Sequence, residues 1–384
     1  MKKYTILGDL ITPAKVVRCG KGNYPVLSMT MHDGIVLQSD RFKKSLASAD
    51  QSDYKVVEYG KLVIGFPIDE GVLYIQKVAP EGIMSPAYST WDVDTTRINP
   101  DFLELCLHSP QSMQYYKDKL RSTTARRRSI PTADLLALRI RTPDMESQFE
   151  AVAVARKVDE MIAIRHAQAT LLDQLVKSRF IELFGAITET VPLSYYIEAL
   201  NAGKSLAGEE ECPNKVLKTG AITYDYFDAT QVKNLPGDYE PLEDHRIKTG
   251  DVIISRMNTA ELVGAAAYVW EAPERTYLPD RLWKAEIKET ACPIFIWQVL
   301  IQSSTKERIR QIASGTSGSM KNISKPGLLG IRVKKVDLAA QEQFAAFVAQ
   351  TDKSKYSSAA SIQVCRQAAN FLRQEWMTCQ TSNS

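Results

Sequence analysis

Three short stretches of this 384-residue chain carry residue types that do chemistry elsewhere. Pro279-Asp280 followed by Glu286-Ile287-Lys288 supplies the two carboxylates and the lysine with which a PD…ExK nuclease centre holds a divalent metal. Only five residues separate Asp280 from Glu286, too few for the strand hairpin that brings such groups together. Ala202-Gly203-Lys204-Ser205 ends like a phosphate-binding loop, but Glu198 stands where G-x-x-x-x-G-K-S/T needs its first glycine. A turn is the plainer reading. Asn99-Pro100-Asp101-Phe102 shares its first two residues with the Asn-Pro-Pro-Tyr motif of adenine methyltransferases, yet lacks the second proline and any accompanying glycine-rich loop. The cysteines (Cys19, Cys106, Cys212, Cys292, Cys365, Cys379) form no C-x-x-C pair, and His32, His108, His166 and His245 are equally dispersed. Spacing therefore offers no metal site and no catalytic constellation.

Charge is a stronger lead than these motifs. The chain has 48 Lys+Arg against 45 Asp+Glu, a net +3 that by itself announces no polyanionic partner. That sum averages over opposites. Residues 117–141 hold eight basic residues (Lys117, Lys119, Arg121, Arg126, Arg127, Arg128, Arg139, Arg141) against Asp118 and Asp134, a net +6. Residues 302–336 hold eight more (Lys306, Arg308, Arg310, Lys321, Lys325, Arg332, Lys334, Lys335) against Glu307, a net +7, which leaves −10 for the remainder. Each segment contains a small polar loop, STTARRRS at 122–129 and GTSGSMKN at 315–322. Hydroxyls, backbone amides and cations together suit phosphate oxygens and base edges. Arg126, Arg127, Arg128 and Lys321 are the leading candidates for contact with nucleic acid, with Thr123, Ser317 and Asn322 beside them. A solvated basic face would explain either segment alone; recurrence at equivalent places argues against it.

The elements that must position those loops occur twice. LLALRI at 135–140 matches LLGIRV at 328–333, an offset of 193 residues. At the same offset Arg128 pairs with Lys321, Ile130 with Ile323, Asp144 with Asp337, Gln148 with Gln341 and Asp159 with Asp352. YKVVEYGKLVI at 54–64 parallels HRIKTGDVII at 245–254, each with a turn glycine before an apolar run. A period this long is no solenoid repeat; one domain-plus-helix unit occurs in tandem. In the first copy residues 55–57, 62–66 and 72–76 are short apolar runs between glycines and prolines, the pattern of strands and turns. Residues 144–184 then lack Gly and Pro until Gly185 supplies a stop. At 1.5 Å per residue this predicts a helix about 60 Å long. Ala155, Ile162, Ala169, Val176 and Leu183 recur every seven residues in it, with Val158 and Leu172 also at heptad spacing, the mark of a coiled-coil seam. Residues 337–380 repeat the pattern with Phe344, Val348, Ile362, Cys365, Ala369, Leu372 and Trp376.

The run LLDQLVKSRFIELFG at 171–185 resembles the central helix of DNA-specificity subunits of Type I restriction–modification systems. GFPIDEG at 65–71 with GIMSPAY at 82–88, LPDRLW at 278–283 and KNI at 321–323 resemble their target-recognition domains. The resemblance spans essentially the whole chain. It implies an α+β fold: two β-rich target-recognition domains separated by two long antiparallel coiled-coil helices, in a pseudo-two-fold tandem repeat. The expected boundaries are 1–143 and 186–336 for the recognition domains, 144–185 and 337–384 for the helices. It also implies a non-catalytic subunit for defence against phage, each domain reading one half of a bipartite, asymmetric site in double-stranded DNA. Two methyltransferase subunits would dock on the helices and supply S-adenosylmethionine, and restriction/translocase subunits would join them. On this reading Val158, Ile162, Leu172 and Val176 pack helix on helix, while Phe180, Phe184 and Trp376 serve that interface or the partner-docking surface. The chain itself is expected to bind no cofactor or metal. The rivals are a stand-alone metal-dependent endonuclease built on Asp280, Glu286 and Lys288, and a coiled-coil scaffold whose basic loops meet acidic proteins. The longest apolar stretch, residues 292–301, is about half a membrane span. With no hydrophobic leader behind Lys2 and Lys3 and with scattered thiols, a cytoplasmic protein of a bacterial or archaeal cell is expected.

Overall fold

The stretches without glycine or proline fold as two helices of 40 residues each, Met145–Phe184 and Leu338–Met377. The computed structural model describes residues 4–31, 33–41, 50–120, 128–315 and 320–377, with the side chains at 356–360 and 371–377 outside that set. The chain forms two compact units, residues 1–166 with 359–384 and residues 167–358, so each unit takes a β-rich domain and part of each long helix. The fold is α+β and the repeat read from the sequence is structural.

In the first unit an antiparallel sheet orders Ile11–Pro13, Ser89–Val93, Leu62–Ile64 and Leu73–Ile75. In the second unit Ile197–Ala202, Leu282–Ile287, Val252–Ser255 and Ala266–Tyr268 repeat that order, again antiparallel. The turn glycines do the same job in each. Gly60 (φ 85°) and Gly250 (φ 97°) adopt the left-handed conformation that a side chain resists. Each donates its N–H across the hairpin that follows, to Gln76 O and Val269 O, both at 2.8–2.9 Å. Two helices then cover each sheet, Pro100–Leu107 and Pro110–Lys119 in the first, Pro293–Ile301 and Ser303–Ile312 in the second. A two-stranded ribbon closes each domain by pairing its beginning with its end. Tyr4–Ile6 lies on Arg139–Arg141, and Thr190–Pro192 on Arg332–Lys334.

The matched polar residues turn out to fasten each long helix to its domain. Asp144 and Asp337 cap the helix starts, their carboxylates accepting from Ser147 N at 2.9 Å and Ala340 N at 3.0 Å. One turn later Gln148 and Gln341 are fully buried. Gln148 Oε1 accepts from Asn99 N (2.7 Å) while Nε2 donates to Pro143 O (2.9 Å). Gln341 Oε1 accepts from Cys292 N (2.9 Å) while Nε2 donates to Val336 O (2.8 Å). Asn99 and Cys292, like Pro143 and Val336, are themselves 193 residues apart. The amide thus supplies a partner to a helix-start N–H that the helix cannot satisfy.

Burial follows the heptads. Along the first helix the least exposed side chains after Val152 are Ala155, Val158, Ile162, Arg165, Ala169, Leu172 and Val176, a 3–4 alternation. In the second unit the helices run antiparallel. Phe184 meets Phe344 with ring centroids 5.5 Å apart, and Asp173 meets Lys355 at 2.9 Å, eleven residues on along each chain in opposite senses. Phe180, Phe184, Phe295, Phe344 and Tyr196 form one aromatic cluster with centroids 5.1–6.2 Å apart, so helix ends and domain share a core. Lys355 is a charged residue on the packed face. Burial pulls its pKa down, but Asp173 and Asp352 outweigh that and hold it above the ordinary lysine value.

Replacing Gln341 by Leu removes the partner of the partly buried Cys292 N–H and leaves the buried Val336 C=O only the longer bond from the Tyr196 hydroxyl at 3.4 Å. This is expected to cost about 1–3 kcal/mol. Urea unfolding followed by tryptophan fluorescence checks it, since Trp270, Trp283 and Trp297 all lie in the second unit. An unchanged midpoint contradicts the fastening role.

Candidate nucleic-acid interface

The second unit builds its polar edge from the end of a buried strand. Val252–Ser255 is buried at all four positions, and the chain turns outward at Arg256. Arg256 N donates to Arg281 O at 3.1 Å, and Arg256 O accepts from Ile323 N at 3.0 Å. Ile323 is buried, so these bonds seat the short strand Lys321–Asn322 beside Met257–Asn258, Met257 opposite Asn322 and Asn258 opposite Lys321. On its other side Asn322 exchanges both backbone bonds with Ser314 at 2.9 Å. The result is a three-rung ribbon carrying Arg256, Lys321 and Asn322.

The side chains on this ribbon hold each other without spending their charge. Lys321 Nζ donates to Gly315 O at 2.7 Å, Arg310 Nη2 to Glu261 O at 3.2 Å, and Arg256 Nε to Asn322 Oδ1 at 3.5 Å. The Arg256 guanidinium also lies 5.8 Å from the Trp283 ring centroid, a cation–π distance. Trp283 is buried, and its indole N–H has no hydrogen-bond partner among the described residues. Ala260, Glu261, Arg310, Ala313 and Lys321 line an open cleft of about 600 Å³. Among the described residues Arg256, Arg281, Arg310 and Lys321 enter no ion pair. Against Glu261, the single acidic residue among the described lining of the cleft, they leave this edge net positive, which favours anions.

The charge sum at 302–336 overstates what is available. Lys306 is nearly buried and pairs with Asp225; burial depresses its pKa and the aspartate partly restores it. Arg308, Arg332 and Lys334 donate to the backbone carbonyls of Arg332, Thr190 and Ile187. Lys335 pairs with Glu189, which raises its pKa. Of the eight cations, Lys306 and Lys335 are therefore spent on carboxylates, while Arg308, Arg332 and Lys334 are tied down by backbone carbonyls of the fold.

In the first unit Arg128 is similarly engaged. Its guanidinium meets Asp69 at 2.9 Å and also Glu70, and its carbonyl accepts from Ile68 N at 3.0 Å. Hydrogen bonding to Asp69 raises its pKa. Arg128 thereby ties the end of the basic loop to the turn at 68–70. Thr123, Arg126, Arg127 and Ser317 lie outside the described residues. Of the helix candidates, Val176, Phe180 and Phe184 are in the second unit's core, Leu172 is half-buried in the same unit, and Val158 and Ile162 are half-buried in the first unit. Trp376 belongs to the helix Leu338–Met377, its side chain outside the described set. Arg256 and Arg281 stand outside the basic segments; the sequence signal for Arg256 is an arginine at the end of the apolar run that begins at Val252.

The three catalytic look-alikes are structural. Asp280 and Glu286 stand before and near the end of one strand, Leu282–Ile287, roughly 20 Å apart at 3.3 Å per residue. Lys288 Nζ turns to Ser194 O at 2.9 Å, and Asp280 accepts from Ser205 Oγ. They cannot share a metal in this arrangement. Gly203 is required because a Cβ there would sit 1.8 Å from Leu278 O. Asn99 is the cap of Pro100–Leu107, its Oδ1 accepting from Asp101 N and Phe102 N at 2.8 and 3.1 Å. No helix among the described residues is long and apolar enough to cross a membrane.

No protein-family model and no curated protein sequence matches the chain. Solved structures do resemble it. The Type-I restriction-modification system S subunit from M. genitalium aligns over 99% of this chain and 97% of its own, with 14% identity and a TM-score of 0.55. A chain from a structure of complex assembly and conformational transition in the type I R-M system aligns over 97% of each, with 13% identity and a TM-score of 0.58. The fold over essentially the whole length is that of a Type I S subunit.

Truncating Arg128 to Ala frees the Asp69 and Glu70 carboxylates and is expected to lower the melting temperature. Lys321→Ala, which breaks only a bond to an exposed loop, leaves it unchanged. Differential scanning calorimetry of the two variants checks the contrast; equal melting temperatures contradict it.

Proposed function

We propose that this chain is the DNA-specificity subunit of a Type I restriction–modification complex. The observation that carries the reading is the duplicated domain-plus-helix unit, fastened by the same Asp and Gln bonds in each copy, in a fold shared end to end with S subunits. Each β-rich domain reads one half of a split site in double-stranded DNA, and because the two copies differ in sequence the site is asymmetric. Cations such as Lys321 and Arg310 give salt-dependent attraction to phosphate, and neighbouring loop side chains reach base edges. Arg126, Arg127, Thr123 and Ser317 are assigned the same role, Arg128 and Asn322 positions beside them. The helices set the distance between half-sites, as protein geometry sets half-site spacing elsewhere.

The chain is non-catalytic, and catalysis comes with its partners. Two methyltransferase subunits, which bind S-adenosylmethionine, dock on the long helices, and restriction/translocase subunits complete the assembly in the cytoplasm. Exposed apolar side chains beside the packed seam support docking. Val154, Met161 and Ile164 are 37–57% exposed in the first unit, and Leu171, Leu175 and Ile181 are 49–64% exposed in the second. A patch of this kind on a helix face marks an interaction surface.

Co-expression with the cognate methyltransferase, followed by sequencing of methylated adenines in the host genome, tests the proposal. A bipartite motif is expected, and replacing residues 1–143 by those of another such subunit changes one half only. Methylation without a split motif, or a motif untouched by the exchange, overturns it.

A further inference from the structure

Two aromatic side chains in the second unit are displayed to solvent on a loop that the fold takes unusual trouble to hold. Tyr224 is 73% exposed and Tyr226 56% exposed, their rings within 16° of parallel and their centroids 6.4 Å apart. Between them Asp225 has φ 65°, a left-handed conformation that costs an L-residue and persists only where the surroundings enforce it. The enforcement is visible. The Asp225 carboxylate accepts from Ala266 N at 3.0 Å and from Lys306 Nζ, and its carbonyl accepts from the buried Trp297 Nε1 at 3.2 Å. Lys306 is itself nearly buried, so a cation is kept inside the domain to fix this one residue. A loop with no task needs neither the strained backbone nor the buried ion pair.

The anchor also joins the tyrosines to the anionophilic edge. Lys306 and Arg310 are four residues apart on the helix Ser303–Ile312, neighbours on one face. Arg310 lines the open cleft together with Lys321. Lys218, exposed just before the loop, enters no ion pair among the described residues. Rigid exposed aromatic rings next to cations suit a ligand with both phosphates and apolar surface, and duplex DNA offers both in its backbone, its deoxyribose and the thymine methyls of its grooves.

We propose that Tyr224 and Tyr226 contact the DNA through their ring faces, against deoxyribose and the apolar base edges of a groove, and supply a salt-independent part of the second domain's affinity. This rests on the reading of the chain as a DNA-specificity subunit. Aromatic contacts release no counterions, so they are separable from phosphate contacts by salt dependence.

The test uses the full-length chain and a fluorescent pool of random-sequence duplex DNA, enriched by binding to the unmodified protein. Replacing both tyrosines by Ala is expected to weaken binding about five- to hundredfold through lost apolar burial, with the slope of log affinity against log salt unchanged. The double Phe variant keeps affinity within about threefold, because the ring is retained. Lys321→Ala, run alongside, lowers the salt slope by about one unit. Wild-type affinity in the double Ala variant, alongside a weakened Lys321→Ala, overturns the tyrosine assignment and leaves the DNA-binding reading intact. A double Phe variant as weak as the Ala one overturns contact through the rings. Failure of the unmodified chain to enrich any duplex overturns both the inference and the reading beneath it.

Discussion

A buried glutamine amide decides in which direction each long helix leaves its domain. Gln148 and Gln341 accept from the N–H before a proline-started helix and donate to the carbonyl of the residue just ahead of the long helix. Two elements are joined by one side chain: the domain's own helix and the long helix. In each copy one of the two bonds is buried outright, Asn99 to Gln148 and Gln341 to Val336, where leaving a group unpaired carries its desolvation penalty. The geometry is thus held within narrow limits in each copy. A helix meant to act as a spacer is useful only if its root does not swivel.

Packing completes what the amide begins. In the second unit the end of one long helix and the start of the other meet at Phe180, Phe184 and Phe344, and Phe295 brings in the domain. Edge-to-face contacts among large rings bury much area with defined orientation. Farther along, Lys355 bridges Asp173 and Asp352 on the packed face. Apolar seams tolerate slippage by a heptad, whereas a lone charge finds its partner in one register.

The long helices and the tandem repeat were legible because they are local or periodic properties: absence of Gly and Pro, heptad recurrence, and a constant offset. The identities Asp144/Asp337 and Gln148/Gln341 were visible as matched letters, but their task was not. The partner of Gln148 is Asn99, 49 residues earlier, and no spacing rule connects the two. Charge misled in a related way. Summing cations over a segment ignores where their side chains end, and Arg308, Arg332, Lys334, Lys335 and Lys306 end on carbonyls and carboxylates of the fold. Arg256 and the pair Tyr224 and Tyr226 escaped notice for the converse reason. They gain their position from long-range bonds to Ile323, Trp297 and Lys306, which leave no mark in the neighbouring sequence.

In the second unit a polar, cation-bearing edge on a β-rich domain is joined to a helix of fixed root and register, and the fixed root recurs in the first. On the proposed function, recognition and spacing are separate properties, one carried by the domains and the other by helix length. Insertion of one heptad into each long helix tests that separation. Seven residues add about 10.5 Å of helix while preserving the seam, close to three base pairs at 3.4 Å each. Sequencing methylated adenines made by the lengthened subunit with its methyltransferase should return both half-sites unchanged, with a spacer about three base pairs longer. An unchanged spacer, or altered half-sites, would contradict the account.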